Sequence, residues 1–347
     1  MSSESPFGLV VPDAALESEL RSAIHAVEGL LRDAVKSDYP FVTETSRHLV
    51  DAGGKRFRPL LVLLAAQFGD PSAPGVLPAA VVVELTHLAT LYHDDVMDEA
   101  LVRRGTISAN ARWSNTIAIL TGDFLFSRAS DLLADLGPEA VRIQARTFER
   151  LVQGQIRETT GPPVGADPLE YYLQVVADKT GSLIATSARF GAMFAGAPDS
   201  VIEVMIRYGE RIGVAFQLSD DLLDITSDGD PLGGVDGSVV DGSRVGFGKT
   251  PGTDLREGVT TLPMLHARRS TDPADARLLE LLAGHLDDDD RHAEALGLLR
   301  VHPAIDAARA DLERWAADAR ETLRALPDVP AKAALTALCD YVVARSR

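Results

Sequence analysis

Cysteine is almost absent: Cys339 is the only one in 347 residues. That excludes an intramolecular disulfide, a cysteine-built zinc centre and an iron–sulfur cluster, and it fits a reducing, cytoplasmic location. Positive charge is also scarce, with 34 Lys and Arg against 51 Asp and Glu for a formal charge of −17. Such a surface repels nucleic acid and anionic lipid at long range. No nucleic-acid partner is expected, and any anionic ligand needs a local cationic pocket. The opening MSSESPFGLVVPDAALESEL lacks a basic start, an apolar core and a small-residue cleavage site, so it makes a poor export signal. No apolar run reaches the roughly 18 residues of a membrane span, since the stretch from Leu77 to Tyr92 is broken by Glu84 and His87. No transmembrane segment is expected. A serine–histidine or cysteine–histidine nucleophile signature is missing too.

Alternating strand-like runs are rare, whereas apolar residues recur at helical spacing from about Ala14 to Ala344. The fold class predicted is all-α, a helical bundle of about ten to twelve helices. Asp167-Pro168-Leu169-Glu170 and Asp272-Pro273-Ala274-Asp275 read as caps with proline at the first helical position, and Ser200 to Glu203 as a third capping box. With 46% apolar residues and no convincing linker, the chain reads as a single domain, 1–347. One long Gly/Asp-rich loop is expected at about 227–253. Asp287 to Asp290 reads as a solvated loop. Trp315, Phe190 and Phe194 read as packing residues, and the helices after about Asp275 carry no chemical motif.

The strongest chemical signal is His93-Asp94-Asp95-Val96-Met97-Asp98 at the end of an apolar segment. On a helix, Asp94 and Asp98 share a face, about 5–6 Å apart. Paired carboxylates on an apolar edge repel each other and call for a cation. A lone motif of this kind is equally an acidic helix end, but Ser219-Asp220-Asp221-Leu222-Leu223-Asp224 repeats it late in another apolar helix. Magnesium suits such a set, because it binds through a few carboxylates together with waters and substrate phosphates. Zinc, with His87 and His93 as ligands, would leave too many aspartates without a role. Cations that could face a diphosphate occur in Gly53-Gly54-Lys55-Arg56-Phe57-Arg58-Pro59, just before a helix start. Arg103-Arg104, Lys179-Thr180 and Gly248-Lys249 add further donors.

GGKRFRP, DDVMDEALVRRG, GQIRET, KT, FQLSDDLLD and GKTPGTDLREG occur here in the order found in trans polyprenyl diphosphate synthases, spanning Gly53 to about Pro263. The chain resembles that family. The resemblance implies the isoprenoid synthase helical bundle, usually a homodimer, with the two acidic motifs facing each other across a central apolar cavity. It also implies Mg2+, three ions per active site, bridging the diphosphate. Carried over by position, Asp94, Asp98 and Asp220 resemble the direct metal ligands, and Asp95, Asp221 and Asp224 their supports. Lys55, Arg58, His87 and Arg104 resemble the isopentenyl diphosphate site. Arg103, Lys179, Thr180, Gln217 and Lys249 resemble the allylic diphosphate site, with Lys179 also counted in the catalytic set. Two departures stand out: Val259 occupies a position where related enzymes often carry lysine, and 230–248 is longer than the usual turn.

By this resemblance, the protein condenses isopentenyl diphosphate with an allylic diphosphate through ionisation, condensation and elimination. The released diphosphate is the expected base. Ala89 and Thr90, one turn before Asp94, are expected to set chain length; resembling enzymes with short products often carry an aromatic ring there. Small side chains at these positions predict a product on the order of six or more isoprene units. A peripheral membrane contact for product release is a further expectation. Two rivals remain at this point: a class I terpene cyclase, which does not need the isopentenyl site, and a non-catalytic subunit of a heteromeric synthase, which commonly loses acidic motifs.

Overall fold

The structure is a computed structural model that describes residues 11–227, 239–240, 243–244 and 251–346. Among the described residues it is built almost wholly of helices. In chain order they are α1 (Ala14–Ala34), α2 (Pro40–Asp51), α3 (Phe57–Ala66), α4 (Val76–Met97), α5 (Ala109–Arg112), α6 (Asn115–Leu136) and α7 (Pro138–Thr160). Then come α8 (Pro168–Val176), α9 (Ser182–Phe194), α10 (Asp199–Thr226), α11 (Thr253–Arg256) and α12 (Leu262–Ala267). The last four are α13 (Ala276–Leu282), α14 (Asp289–Arg300), α15 (Ala304–Thr322) and α16 (Pro330–Ala344). Two antiparallel strand pairs of two residues each complete the set: β1 (Val102–Arg103) with β2 (Thr106–Ile107), and β3 (Val239–Val240) with β4 (Ser243–Arg244).

The all-α expectation holds, but there are more helices than periodicity predicts. The extra ones, such as α5 and α11 with four residues each, are one turn long and cannot display a 3.6-residue period. Asp167 caps α8 by accepting from the Leu169 and Glu170 amides, as its sequence predicts. Asp272 caps a 3-10 turn, Pro273–Asp275, that leads into α13. Two expectations fail. Ser200 lies inside α10, which starts one residue earlier, because the Pro198 carbonyl already accepts from Val201. Asp287 to Asp290 is no mere loop: Asp288 accepts from the Arg291 amide at 2.9 Å and so caps α14.

The chain forms two compact units, each gathered from separated stretches. The first comprises the chain up to Glu149, with Leu183–Gly209 and Thr322–Leu338; the second comprises Arg150–Ser182, Glu210–Glu321 and the residues from Cys339 on. In the first unit α4 is the core helix. Val76, Ala79, Val83, Leu85, Leu88 and Tyr92 bury it on every side, so its apolar surface is not a single stripe. It is long and apolar enough to cross a membrane, yet most of it is buried inside the fold. Each leucine fully buried there or on α3 contributes up to about 1.5–3 kcal/mol. Helices α3 and α9 approach closely because Gly191 lies against the Val62 carbonyl, where a Cβ would sit 2.1 Å away. In the second unit the Ser219 hydroxyl on α10 donates to the Val342 carbonyl of α16 at 2.8 Å.

Candidate active site

Helix α4 delivers the first acidic motif to its own C-terminal end, where Asp98 is the C-cap and its amide donates to the Asp94 carbonyl at 2.8 Å. This confirms the i, i+4 relation read from the spacing. Glu99, with φ 49°, then breaks the helix in the left-handed conformation, and the Ala100 amide closes onto the Asp95 carbonyl. Three carboxylates at the negative end of a helix repel one another and the dipole. The counter-charge comes from the next element, a hairpin whose central residues, Arg104 (φ 52°) and Gly105 (φ 72°), make the left-handed pair of a tight two-residue turn. That turn brings Arg103 Nε to 2.5 Å from Asp95 and its guanidinium to 3.7 Å from Asp98. Asp95 is fully buried, and burial pushes its carboxyl above the usual range against the pull of Arg103.

Arg104 turns the other way. Its guanidinium donates to the Leu49 carbonyl at 3.2 Å and to the Gly53 carbonyl, and lies 3.6 Å from Glu84. Gly54 has no room for a side chain, since a Cβ there would be 2.9 Å from the Arg104 guanidinium carbon. The sequence motif is therefore a cradle in which glycine lets the turn close on arginine. Within it the three cations divide. Arg56 is buried at 3% exposure, bonded to Glu28 at 2.5 Å, Glu84 at 2.8 Å and the Val50 carbonyl, and so serves the fold rather than a ligand. Lys55 is exposed and makes no ion pair among the described residues. Arg58 sits in the first turn of α3. His87, half-buried on α4, has its imidazole held well below the usual pKa, first by burial and then by Arg58, Arg104, Arg56 and Arg103. The structure thus places His87 near Arg58, Arg104, Arg56 and Arg103. Glu28 and Glu84, which hold Arg56 and Arg104, are not legible in sequence because nothing in the pattern separates a buried acid from a solvated one.

Three non-glycine residues have positive φ among the described residues: Arg56, Glu99 and Arg104. All three lie in the cradle or at the acidic helix end. Backbone strain of this kind clusters at functional sites in proteins generally.

The second acidic motif lies in the second unit, on α10. Asp221 is a scaffold group: it accepts from the Tyr172 hydroxyl, from Gln217 at 3.1 Å and from the Leu262 amide at 3.0 Å. Burial pushes its carboxyl up to about 7 despite these donors. Asp224 accepts from the Thr253 and Asp254 amides, both at 3.2 Å, and so fixes the start of α11. Asp220 is the most exposed of the three, and Arg345 donates to it. Arg345, near the C-terminus, went unnoticed in the sequence because 125 residues separate it from its partner.

Lys179 and Thr180 lie in a π-helical turn, Ala177–Gly181, a device that often marks functional sites. Lys179 pairs with Glu158, and the Thr180 hydroxyl donates to Gln217 at 3.0 Å. The turn has room because Gly154 faces it; a Cβ there would be 2.7 Å from the Lys179 nitrogen. Lys249, and 230–248 apart from the paired β3 and β4, lie outside the described residues. Val259 follows Gly258 just after α11, and the nearby Arg256 is engaged with Asp289 at 2.8 Å.

Each acidic motif taken by itself offers only carboxylates, at the end of its own helix, which suits a hard divalent ion, and in the first the buried Asp95 Oδ2 has no hydrogen-bond partner. Among the described residues no three His, Cys, Asp or Glu side chains form a cage on their own. Magnesium commonly takes few carboxylates and completes its shell with water and phosphate.

Residues 39–299 match the polyprenyl synthetase family model. The nonaprenyl diphosphate synthase of Mycobacterium tuberculosis is 49% identical over 97% of each chain. A dimethylallyltranstransferase of the same organism is 42% identical over 95% of this chain and 96% of its own. The geranylgeranyl pyrophosphate synthase of Corynebacterium glutamicum, crystallised with calcium and isoprenyl diphosphate, is 43% identical. It superimposes with a TM-score of 0.83 over 97% of this chain and 99% of that one. Likeness of this extent in sequence and in fold places the chain in the polyprenyl synthetase family, as a prenyltransferase.

Proposed function

We propose that the protein condenses isopentenyl diphosphate with an allylic diphosphate to build a long all-trans polyprenyl diphosphate. A concavity of about 430 Å³ in the first unit carries the product length. Residues of α4, α6 and α7 line it, among them His93, the residue before Asp94, with Phe126, Leu133, Val141 and Ala145. On α4 it is bordered by Thr86 and His93, with Ala89 and Thr90 lying between them in the chain. Ala89 is fully buried, and Gly122 of α6 crosses next to its carbonyl. Neither position carries a bulky side chain.

When bound, magnesium supplies Lewis-acid neutralisation of the charge on the departing diphosphate; three ions per active site are proposed. Asp94, Asp98 and Asp220 would hold them, with Asp95, Asp221 and Asp224 keeping those carboxylates in place. Lys55, Arg58, Arg104 and neutral His87 would bind isopentenyl diphosphate. Arg103, Lys179, Thr180, Gln217 and Lys249 would orient the allylic diphosphate so that its C–O bond ionises, the isopentenyl double bond attacks, and the released diphosphate takes the proton.

A homodimer is proposed as the working form, since α6 leaves Ile119 and Leu120 43% and 57% exposed; light scattering of the purified chain reads the mass directly. A cytoplasmic location and a peripheral membrane contact for the insoluble product complete the reading. The decisive test is incubation with labelled isopentenyl diphosphate and farnesyl diphosphate, with and without magnesium, followed by chromatography of the dephosphorylated products. A metal-dependent ladder ending in one long prenol is expected. A cyclic hydrocarbon from farnesyl diphosphate alone, or inactivity on every allylic primer, would overturn the reading.

A further inference from the structure

A second concavity in the first unit, of about 400 Å³, lies where the N-terminal turns of α7 meet α9 and is lined by Pro138, Glu139, Arg142, Ile143, Arg146 and Arg189. Three guanidinium groups meet one carboxylate there, in a chain whose formal charge is −17. Arg142 and Arg146 stand one turn apart on α7, both exposed, and neither makes an ion pair or hydrogen bond among the described residues. Arg189 reaches Glu139 only at 3.7 Å, and Glu139 is itself 73% exposed. The Arg189 Nε is buried and has no hydrogen-bond partner.

This is unlike other arginines of the fold. Arg150, two turns from Arg142 on the same helix, carries both Asp178 at 3.0 Å and Glu210 at 2.6 Å. Like charges at i, i+4 repel, so three guanidinium groups around a concavity that share one exposed carboxylate at 3.7 Å are unfavourable unless an anion enters it. Guanidinium forks match the oxygens of a phosphate group, and the N-terminus of α7 at Pro138 adds a favourable dipole. The place is also separate from the acidic motif. Gln144 of α7 bonds Thr86, which lies two turns before Asp94, about 12 Å along α4.

We propose that Arg142, Arg146 and Arg189 form a binding site for a phosphate-bearing anion, distinct from the diphosphate cradle. Phosphate chemistry of this kind comes from a soluble phosphate ester or from the headgroup of an anionic lipid. Neither source depends on the prenyl transfer proposed above.

The test uses the full chain in EDTA, so that the acidic motifs bind no diphosphate–metal complex. Glycerol phosphate is titrated by calorimetry, and cosedimentation is measured with vesicles of equal parts phosphatidylcholine and phosphatidylglycerol and with phosphatidylcholine alone. Saturable binding is expected in at least one arm, weakened at least tenfold in Arg142→Gln/Arg146→Gln and kept in Lys55→Gln. Binding to the mixed vesicles alone identifies a headgroup, and binding of glycerol phosphate identifies a soluble ester. Arg142 and Arg146 are exposed, so the double variant keeps its fold and its prenyl transfer, checked by circular dichroism and the ladder assay. Arg189→Lys provides an independent variant that retains the charge but loses the fork. Absence of binding in both arms, or binding by the double variant as tight as wild type, overturns the proposal.

Discussion

Arg345, two residues before the last of the sequence, lays its guanidinium 4.1 Å over the Phe216 ring and donates to Asp220, to the Phe216 carbonyl at 3.0 Å and to the Ser219 hydroxyl at 2.9 Å. The first aspartate of the second motif thus has a fixed counter-ion of its own. A cation arriving at Asp220 must share or displace that arginine. Arg345→Ala is expected to lower stability by about 1–2 kcal/mol, toward the low end for charged hydrogen bonds because Asp220 is 44% exposed. It should also tighten calcium or magnesium binding to the substrate-free protein several-fold, read by calorimetry. Unchanged affinity would mean that Arg345 does not compete for Asp220.

Glu84 is 1% exposed and faces both Arg56 and Arg104. Glu84→Gln leaves two buried guanidinium groups short of a negative partner, which costs about 3–5 kcal/mol when one member of a buried pair is removed. Denaturant unfolding should register this as a lower midpoint, together with a raised KM for isopentenyl diphosphate as the cradle loosens.

His87 is kept neutral in the fold, while an ordinary histidine protonates near pH 6.5. The unfolded chain therefore takes up a proton below that pH that the folded chain refuses. This contribution to stability is present above about pH 6.5 and lost as pH falls. His87→Gln should remove that part of the acid sensitivity, so thermal midpoints of wild type and variant converge or cross between pH 7 and pH 5. Parallel curves would show that His87 protonates freely.

Ala89→Phe places a ring at a fully buried position of α4, close to where Gly122 of α6 packs against the Ala89 carbonyl. Shorter prenols are expected at comparable turnover, seen by chromatography of the dephosphorylated products. A product of unchanged length would remove Ala89 from the account.

Gly154→Ala would put a methyl group 2.7 Å from the Lys179 nitrogen. Overpacking against a backbone atom costs about 1–3 kcal/mol, and here it would also shift the π-helical turn. The expected result is a loss of kcat larger than the loss of stability explains.

The helical class, the Asp167 cap and the i, i+4 geometry of Asp94 and Asp98 were legible in the sequence, because each depends on residues within a turn or two of one another. So was the family, from six short motifs in a set order. The site was legible only in part. Lys55 and Arg56 are neighbours in one motif and look alike as cations, yet one is free among the described residues and the other is buried between two glutamates. Asp220 and Asp221 are likewise adjacent; resemblance names the first a ligand and the second its support, and the fold adds what holds the second, the Tyr172 hydroxyl and the Leu262 amide.

The amino-acid sequence by itself determined the helical class, the Asp167 cap of α8 and where the carboxylates sit on their helices, since these follow from local dihedral preference and side-chain spacing. Tertiary structure decided which charges are spent on one another and which remain for a ligand. Glu28, Glu84, Tyr172 and Arg345 meet their partners across 28 to 125 residues of chain. Burial, not spacing, sets the strength of those pairs and the protonation of His87 and Asp221, and burial exists only once the helices have packed.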